Sequence, residues 1–269
     1  MNKTTIKNLL QQYHLRPSKR LGQNFLISQK VLQKIIQTAN LSKKDIVLEI
    51  GPGLGILTQE LAEEARKVIA VEKDKRMVEI LKDVLRDYKN VEIIAGDILK
   101  IQGLPLGGYK LVANIPYYLT SPLIRLFLES PKPPQEMILL IQKEVAQRIC
   151  GRPPKMSLLA VAVQFYSQPK IISYVSKKSF WPQPKVDSAI IKISNIKKPK
   201  NNIKKFFQIV KAGFSSPRKQ LVNNLSQKLN LERQEIKTAL VECRLDIQVR
   251  AENLSVEDWI NLYASMDRH

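Results

Sequence analysis

"VLEIGPGLGILT", residues 47–58, places three glycines between two short apolar runs. The run 46–50 is typical of a buried strand, and Leu57 and Leu61 recur at helical spacing after the turn. A strand, a glycine turn and a helix in this order predict the first half of a βαβ unit, whose turn can approach a ligand closely. Because Ile56 replaces the last glycine of G-x-G-x-x-G, a nucleoside ligand without a pyrophosphate is favoured over a dinucleotide.

Further short apolar runs follow, separated by segments of helical length. They lie at 68–71, 91–95, 111–113, 138–141, 171–175 and 189–193. Strands that alternate with helices predict a mostly parallel, doubly wound α/β sheet of seven strands. No long helix separates the last two runs, so one of these strands is expected to be antiparallel.

A change in composition at 195–202 predicts a domain boundary, since this stretch is polar, basic and contains proline. We therefore expect a first domain of residues 1–196 and a small helical C-terminal domain of residues 197–269. Ser216 followed by Pro217 matches the N-cap and first residue of a helix. The residues predicted to line one face of that helix are Leu221, Val222, Leu225 and Leu229.

The net charge of +20 is unevenly distributed along the chain. Residues 1–44 contain nine Lys or Arg and no acid, and residues 188–231 contain ten and no acid. These windows predict a polyanionic partner, RNA or DNA before membrane. Arg218 and Lys219, in the first turn of the helix predicted at Ser216, are the expected phosphate contacts.

The composition argues against several classes of protein. The two cysteines are far apart and the two histidines lie at positions 14 and 269, so neither a metal site nor a disulfide framework is expected. Free cysteines indicate a reducing compartment, and we expect a cytoplasmic protein. No apolar run approaches the ~18 residues of a membrane helix.

Polar groups follow several of the predicted strands. In an open α/β sheet the carboxyl ends of parallel strands meet at the crevice where ligands bind. Glu72, 21 residues after Gly51, is placed to accept hydrogen bonds from both ribose hydroxyls of a nucleoside such as S-adenosylmethionine. The groups expected at this crevice are Gly51, Gly53, Gly55, Glu72, Asp97 and Asn114.

These residues belong to a longer series of motifs. In chain order they are "LGQNFL" (21–26), "EIGPGLG" (49–55), "VEKD" (71–74), "GD" (96–97), "NIPY" (114–117), "QKEVAQR" (142–148) and "FWPQPKVDSA" (180–189). The series resembles the rRNA adenine N6-dimethyltransferases over about residues 15–230, and is most similar to their KsgA-type small-subunit branch. "PKVDS" favours this branch over the related macrolide-resistance methyltransferases of the large subunit.

The resemblance implies a class I (Rossmann-like) methyltransferase fold that uses S-adenosyl-L-methionine. It implies transfer of four methyl groups to two adjacent adenosines in the hairpin near the 3′ end of 16S rRNA. The partner would be a precursor of the 30S subunit, and we expect the enzyme to be a monomer. The residues implied to bind the cofactor are Asn24, Leu26, Gly51, Gly53, Glu72, Lys73, Asp97, Ile98 and Asn114.

Specific roles are implied for several of these residues. Asn24 and Leu26 would cover the cofactor, and Gly51 would meet its methionine end. Glu72 would bind its ribose and Asp97 its adenine. Asn114 would lie where the cofactor meets the substrate.

"NIPY" supplies the groups that this chemistry needs. An adenine amine is a poor nucleophile because its lone pair is conjugated, so acceptors must orient its two N–H groups. The Asn114 oxygen and a backbone carbonyl near Ile115 or Pro116 suit this role, and the proline stiffens the turn. Tyr117 offers a π-face for an unstacked base, and Phe180 could close the other face. No strong base is required, because catalysis is mostly proximity and placed dipoles.

Two alternatives remain open at the level of the sequence. The same chemistry could act on 23S rRNA or on DNA adenine. The chain could instead be a non-catalytic RNA-binding factor of ribosome assembly that keeps the fold.

Overall fold

The computed structural model describes residues 3–101, 103–104, 107–198 and 202–267. Within these ranges the strands are β1 (Phe25–Leu26), β2 (Ile46–Ile50), β3 (Lys67–Glu72), β4 (Val91–Ala95), β5 (Tyr109–Asn114), β6 (Met137–Gln142), β7 (Gln168–Val175), β8 (Phe180–Trp181) and β9 (Ser188–Ser194). The helices are α1 (Lys3–Gln12), α2 (Gln29–Ala39), α3 (Ile56–Glu64), α4 (Lys75–Val84), α5 (Thr120–Leu128), α6 (Lys143–Ile149), α7 (Leu158–Gln164), α8 (Ile203–Gly213), α9 (Leu221–Leu229), α10 (Arg233–Glu242) and α11 (Val256–Met266).

Seven strands form one sheet in the order β4-β3-β2-β5-β6-β9-β7. The neighbours from β4 to β6 are parallel, whereas β9 runs antiparallel to both β6 and β7. The predicted mostly parallel seven-stranded sheet with one antiparallel strand is therefore confirmed. This order places the carboxyl ends of β2, β3, β4 and β5 along one edge of the sheet.

Apolar residues of the first four helices cover one face of this sheet. Ile6 of α1, Leu32 of α2 and Leu61 of α3 are buried in the same cluster as Val47 of β2. Successive strand residues point to opposite faces, so the buried Leu48 belongs to the other side. Burial on both faces explains why β2 is a continuous apolar run with a single acid, Glu49.

A second sheet has only two strands, and the sequence did not predict it. β1 pairs antiparallel with β8, with Phe25 opposite Trp181 and Leu26 opposite Phe180. Two residues are too few for a periodic pattern, so this pairing could not be recognised from the chain. It joins the N-terminal segment to the "FWPQPK" loop.

The chain divides into two compact units, and the division corrects one predicted boundary. The first unit contains 1–146 and 168–196, and the second contains 147–167 and 197–269. The change at 196/197 agrees with the prediction, although residues 199–201 of the predicted linker lie outside the described residues. Residues 147–167 were expected in the first domain and belong instead to the second unit.

The packing of α7 explains this correction. Met156, Ala160 and Val161 are buried in the same cluster as Phe206 of α8. The backbone N–H of Met156 donates to the carbonyl of Glu252 at 3.0 Å. Along the chain, residues 168–196 of the first unit, which contain β7, β8 and β9, lie between the segment 147–167 and its packing partners. Sequence order alone therefore could not assign this segment to the second unit.

The second unit is helical, as predicted, but the expected helix start at Ser216 is wrong. α9 begins at Leu221 with Gln220 as its N-cap, and Ser216 and Pro217 lie in the preceding turn. The Asn224 amide holds that turn, because it donates to the carbonyls of Gly213 at 2.7 Å and Ser216 at 3.0 Å. The predicted apolar face is confirmed, with Leu221, Val222 and Leu225 buried and Leu229 partly buried.

Membrane spans and metal sites are both absent from the described ranges. None of the helices found there has the length and apolar character needed to cross a membrane. Among the same residues, no group of His, Cys, Asp and Glu is placed to hold a metal ion.

Candidate active site

A cavity in the first unit brings together twelve of the residues predicted for the cofactor and for catalysis, whereas Gly55, also expected at the crevice, does not line it and faces Leu81 and Leu85. The empty space within the cavity is about 1190 Å³ when the solvent in its open mouth is included. Three segments that are distant in sequence, around positions 24, 51 and 114, meet at its wall. The predicted residues that line it are Asn24, Leu26, Gly51, Gly53, Glu72, Lys73, Asp97, Ile98, Asn114, Pro116, Tyr117 and Phe180.

The glycine turn has a backbone conformation that other residues rarely adopt. Gly51, Gly53 and Gly55 have φ angles of +67°, +59° and +76°. A Cβ atom on Gly53 would lie 3.2 Å from the ring of Phe25, and one on Gly51 would lie 3.6 Å from Pro116. Glycine therefore keeps both the turn and the space beside it open.

Glu72 links the glycine turn to the end of β3. Its carboxylate accepts hydrogen bonds from the N–H groups of Gly53 at 3.1 Å and Asp74 at 2.8 Å. The side chain is 7% exposed, and burial raises its pKa while these backbone bonds oppose the rise. Glu72 thus orients the turn and presents an acceptor to the cavity.

Lys73 and Asp97 form an ion pair on the cavity wall. The Nζ–Oδ2 distance is 2.8 Å, and the Leu99 N–H donates to the other carboxylate oxygen at 3.1 Å. The hydrogen bond from Lys73 holds the pKa of Asp97 below its usual value. Asp97 is therefore an ionised hydrogen-bond acceptor at neutral pH.

Glu49, the first residue of the "EIGPGLG" motif, is a buried acid at the cavity for which no role was predicted. It is 2% exposed, and its Oε2 atom has no hydrogen-bond partner among the described residues. Burial raises the pKa of Glu49 to about 8, against a smaller opposing effect of the Thr58 hydroxyl. One acid inside the apolar strand "IVLEI" was the signal in the sequence, and it suggests a ligand rather than the core as the partner.

Asn114 is held by the N-terminal segment. Its Nδ2 atom donates to the backbone carbonyl of Asn24 at 3.2 Å, while the Asn24 amide donates to the carbonyl of Gly22 at 3.0 Å. The Asn114 nitrogen is therefore used within the protein, and its Oδ1 atom is the one placed to accept a hydrogen bond from a ligand.

The turn after Asn114 narrows the choice of a second acceptor. The carbonyl of Pro116 accepts the N–H of Leu119 at 2.9 Å and closes a one-turn helix at 117–119. Ile115 donates its N–H to Leu140 at 3.2 Å, which leaves its own carbonyl as the second acceptor of this segment. At the level of the sequence Ile115 and Pro116 were both candidates, and the turn favours Ile115.

Tyr117 is oriented by a buried serine whose role was not predicted. Its hydroxyl lies 2.8 Å from the Oγ atom of Ser188, the first residue of β9, and Ser188 is fully buried. The preceding residue fixes this serine, because the Asp187 carbonyl accepts Lys143 N–H and its carboxylate accepts Lys177 N–H, both at 3.0 Å. Ser188 is the last residue of the "PKVDS" motif, but only the fold shows that its partner is the Tyr117 hydroxyl.

Phe180 borders the cavity while its side chain is 3% exposed and packed in the core. Arg218 and Lys219, by contrast, belong to the second unit and are not among the residues that line this cavity. Both are exposed in the turn before α9.

The chemical character of the cavity fits a cationic nucleoside. Glu49, Glu72 and Asp97 line it, and Lys73 is the one basic residue among the described lining residues. The partnerless Glu49 oxygen is a buried acceptor that a bound group with N–H donors would complete. The seven-stranded sheet and this site at its carboxyl edge define a class I methyltransferase.

The chain belongs to the ribosomal RNA adenine dimethylase family, whose profile matches residues 15–268. It is 42% identical to ribosomal RNA small subunit methyltransferase A of Dehalococcoides mccartyi, over 95% of this chain and 90% of that protein. It is 41% identical to the protein of the same name in Alkaliphilus oremlandii, over 94% of this chain and 93% of the relative. The resemblance seen in the motifs is thereby confirmed.

Two solved structures are similar in fold to this chain. One is a dimethyladenosine transferase from Plasmodium falciparum, with a TM-score of 0.77 and 29% identity over 91% of this chain and 98% of that chain. The other is the 23S rRNA methyltransferase ErmE, with a TM-score of 0.75 and 29% identity over 91% of this chain and all of that chain. The class I fold is confirmed by both.

Glu49 predicts a pH dependence of stability. Its folded-state pKa of about 8 lies above the ordinary value of 4.5, so the folded protein binds this proton more tightly. The resulting stability is complete below about pH 4.5 and is lost as pH rises through about 8, at up to ~1.4 kcal/mol per pH unit. Glu49→Gln should remove this part of the loss, measured as the free energy of unfolding in urea at pH 6 and pH 9. Parallel pH profiles of the two proteins would contradict it.

The Tyr117–Ser188 hydrogen bond predicts coupled effects on turnover. Tyr117→Phe and Ser188→Ala each remove the same hydrogen bond. Each should therefore slow single-turnover methyl transfer, raising its activation free energy by about 0.5–1.5 kcal/mol. The double variant should be little slower than either single one, because the bond can be removed only once. Tyr117→Ala, which also removes the ring, should be slower than all three. Fully additive single effects would show that the serine does not act through the tyrosine.

Proposed function

We propose that this protein transfers methyl groups from S-adenosyl-L-methionine to the N6 amines of two adjacent adenosines in the 3′-terminal hairpin of 16S rRNA. It acts as a monomer on precursors of the 30S subunit, in the cytoplasm where these assemble. The observation that carries the proposal is one cavity that combines the glycine turn, the strand-end acids and the Asn114 acceptor. The identity of 39–43% with relatives named for the small subunit supports the choice of rRNA.

The cofactor would be held by the acidic edge of the sheet. Glu72 would accept from the ribose hydroxyls, and Asp97 from the adenine amine. Glu49 would face the positively charged end that passes over Gly51 and Gly53. Asn24 and Leu26 would cover it from the N-terminal side, with Lys73 and Ile98 on the wall. When bound, S-adenosylmethionine supplies a methyl group on a positively charged sulfur.

Two acceptors would orient the adenosine amine. The Asn114 Oδ1 atom and the Ile115 carbonyl would accept its two N–H groups and turn its lone pair toward the methyl group. Nitrogen becomes acidic only after it has gained the methyl group, so hydrogen-bond acceptors suffice and no strong base is needed. The contribution of these residues is orientation together with placed dipoles.

Two aromatic rings border the space for the target base. Tyr117 would stack on an unstacked adenine, and its hydroxyl bond to Ser188 holds the ring in place. Phe180, which also lines the cavity, would contact the base from the opposite side. Pro116 would stiffen the turn between the acceptors at Asn114 and Ile115 and the stacking ring of Tyr117.

Action on 23S rRNA is the second candidate, and the fold similarity to ErmE is the observation in its favour. The two candidates are separated by methyl transfer from labelled cofactor to purified subunits. We expect label in unmethylated small subunits, recovered as N6,N6-dimethyladenosine at two adjacent positions. Small subunits that already carry these methyl groups are the control. Label in large subunits alone would favour the second candidate, and no transfer to either would contradict both.

Asn114→Ala should reduce single-turnover rate more than affinity for S-adenosylmethionine, because the acceptor matters most as the amine attacks. Calorimetry and rapid-quench measurements compare the two quantities. Since Asn114 also holds Asn24, Gln23→Ala is the matched control, as it frees the same segment from Asp74 without touching the acceptor. Equal losses of affinity and rate, or the same rate loss in the control, would reduce Asn114 to a structural role.

We also propose Arg218 and Lys219 as phosphate-binding residues of the second unit, since both are exposed and basic. Alanine at both positions should weaken binding to unmethylated small subunits. When the logarithm of the binding constant is plotted against the logarithm of the salt concentration, the slope (the salt slope) should also become shallower. The change should be about 0.7–0.9 for each phosphate that the protein no longer neutralises. Affinity for S-adenosylmethionine should be unchanged. An unchanged salt slope would exclude these residues from the RNA interface.

A further inference from the structure

A second cavity of the first unit has no role in the proposed reaction. It lies between α1 with the chain that follows it and the loop after β8. We call it the arm groove, and its lining residues are Lys7, Leu10, Gln11, His14, Leu15, Arg16, Pro17, Lys19, Gly22, Gln23, Asn24, Trp181, Pro182, Gln183, Pro184 and Lys185. Residues 22–24 also line the active-site cavity, so the two spaces share a wall.

The arm groove has the opposite charge to the active site. Lys7, Arg16, Lys19 and Lys185 line it, whereas none of its described lining residues is an acid. No salt bridge joins these four to an acid in the described part of the chain. Their charges can therefore act on a polyanion.

The walls of the arm groove are built into the fold. Ile6 and Leu10 bury one side of α1 in the core, and the Tyr13 hydroxyl donates to Asp83 of α4. Gln23 holds the following chain, because it accepts from Ser18 N–H at 2.8 Å and donates to Asp74 at 3.2 Å. The pairing of β1 with β8 fixes the opposite wall. A preformed groove loses little conformational entropy when it binds a ligand.

An aromatic surface lies among these charges. Trp181 is partly buried, and the Lys7 amine lies 5.9 Å from its ring centroid. Pro182 follows it in the same loop. An indole beside basic side chains is the combination that binds a nucleotide of a single strand, with the base on the ring and the phosphate on the cations.

We propose that the arm groove binds the single-stranded RNA that flanks the target adenosine. This proposal rests on the proposed function and adds the path of the substrate strand. Residues 22–24 line both spaces, so a strand whose base enters the active-site cavity can continue directly into the arm groove. Asp97, which is ionised at neutral pH, disfavours phosphates inside that cavity, while Arg16, Lys19 and Lys185 bind them outside it.

The test variant removes three charges from the arm groove, as Arg16→Ala, Lys19→Ala and Lys185→Ala together. The probe is unmethylated small subunits, and binding is measured across a salt series. The variant should neutralise three fewer phosphates. The salt slope should therefore become shallower by about 2, at roughly 0.7 per phosphate for a single strand. The KM for small subunits should rise, whereas calorimetry should give unchanged affinity for S-adenosylmethionine. The latter result also shows that the variant is folded.

A matched control removes three charges from the same acid-free window without touching either cavity. Lys30→Ala, Lys34→Ala and Lys44→Ala are suitable, since all three residues are exposed and line neither space. This control should keep the wild-type salt slope. If both triple variants lower the slope equally, only net charge matters and the proposal is wrong.

A second measurement locates the strand directly. Trp181 fluorescence should be quenched by a short single-stranded RNA that contains two adjacent adenosines, with Trp259→Phe as the background because Trp259 is the other tryptophan and is fully buried. An unchanged signal together with an unchanged salt slope would overturn the proposal. If wild-type protein methylates small subunits in that case, the proposed function stands and only the arm groove is excluded.

Discussion

The site depends on one buried carboxylate at the end of β3. Glu72 accepts the N–H groups of Gly53 and Asp74, so one side chain connects the glycine turn of the first βαβ unit to the start of the next. Positive φ angles let the glycine turn bend toward this carboxylate, and the close approach of Phe25 and Pro116 brings two further segments against it. The N-terminal segment and the turn after β5 therefore contact the glycine turn that Glu72 holds in place.

Charge is divided between the interior and the surface of the first unit. The active-site cavity contains the ionised carboxylate of Asp97 together with Glu72, whereas Glu49 is mostly protonated at neutral pH because burial raises its pKa to about 8. Outside it, the arm groove carries Lys and Arg side chains and no acid among its described lining residues. A cationic cofactor and an anionic RNA strand would therefore be attracted to different places, although they must meet at one methyl group.

The two-stranded β1–β8 sheet connects these two regions. It contributes Phe25, Leu26 and Phe180 to the active-site wall, and Trp181 to the arm groove. Asn24, the residue just before it, accepts a hydrogen bond from Asn114. A change in this short sheet would therefore affect the wall of the active-site cavity, Asn114 and the arm groove together.

The sequence alone determined the alternation of strands and helices, the glycine turn and the motif series, because each is a local pattern of about ten residues. The seven-stranded sheet followed from these patterns, and the family resemblance implied the further residues Asn24, Leu26, Lys73 and Ile98, which line the same cavity as the glycine turn. The tertiary structure alone decided the partners. It packed 147–167 into the second unit, started α9 at Leu221, and placed Ser188 against the Tyr117 hydroxyl. These features depend on contacts between distant segments, and no local periodicity encodes which buried hydroxyl or apolar face a residue will meet.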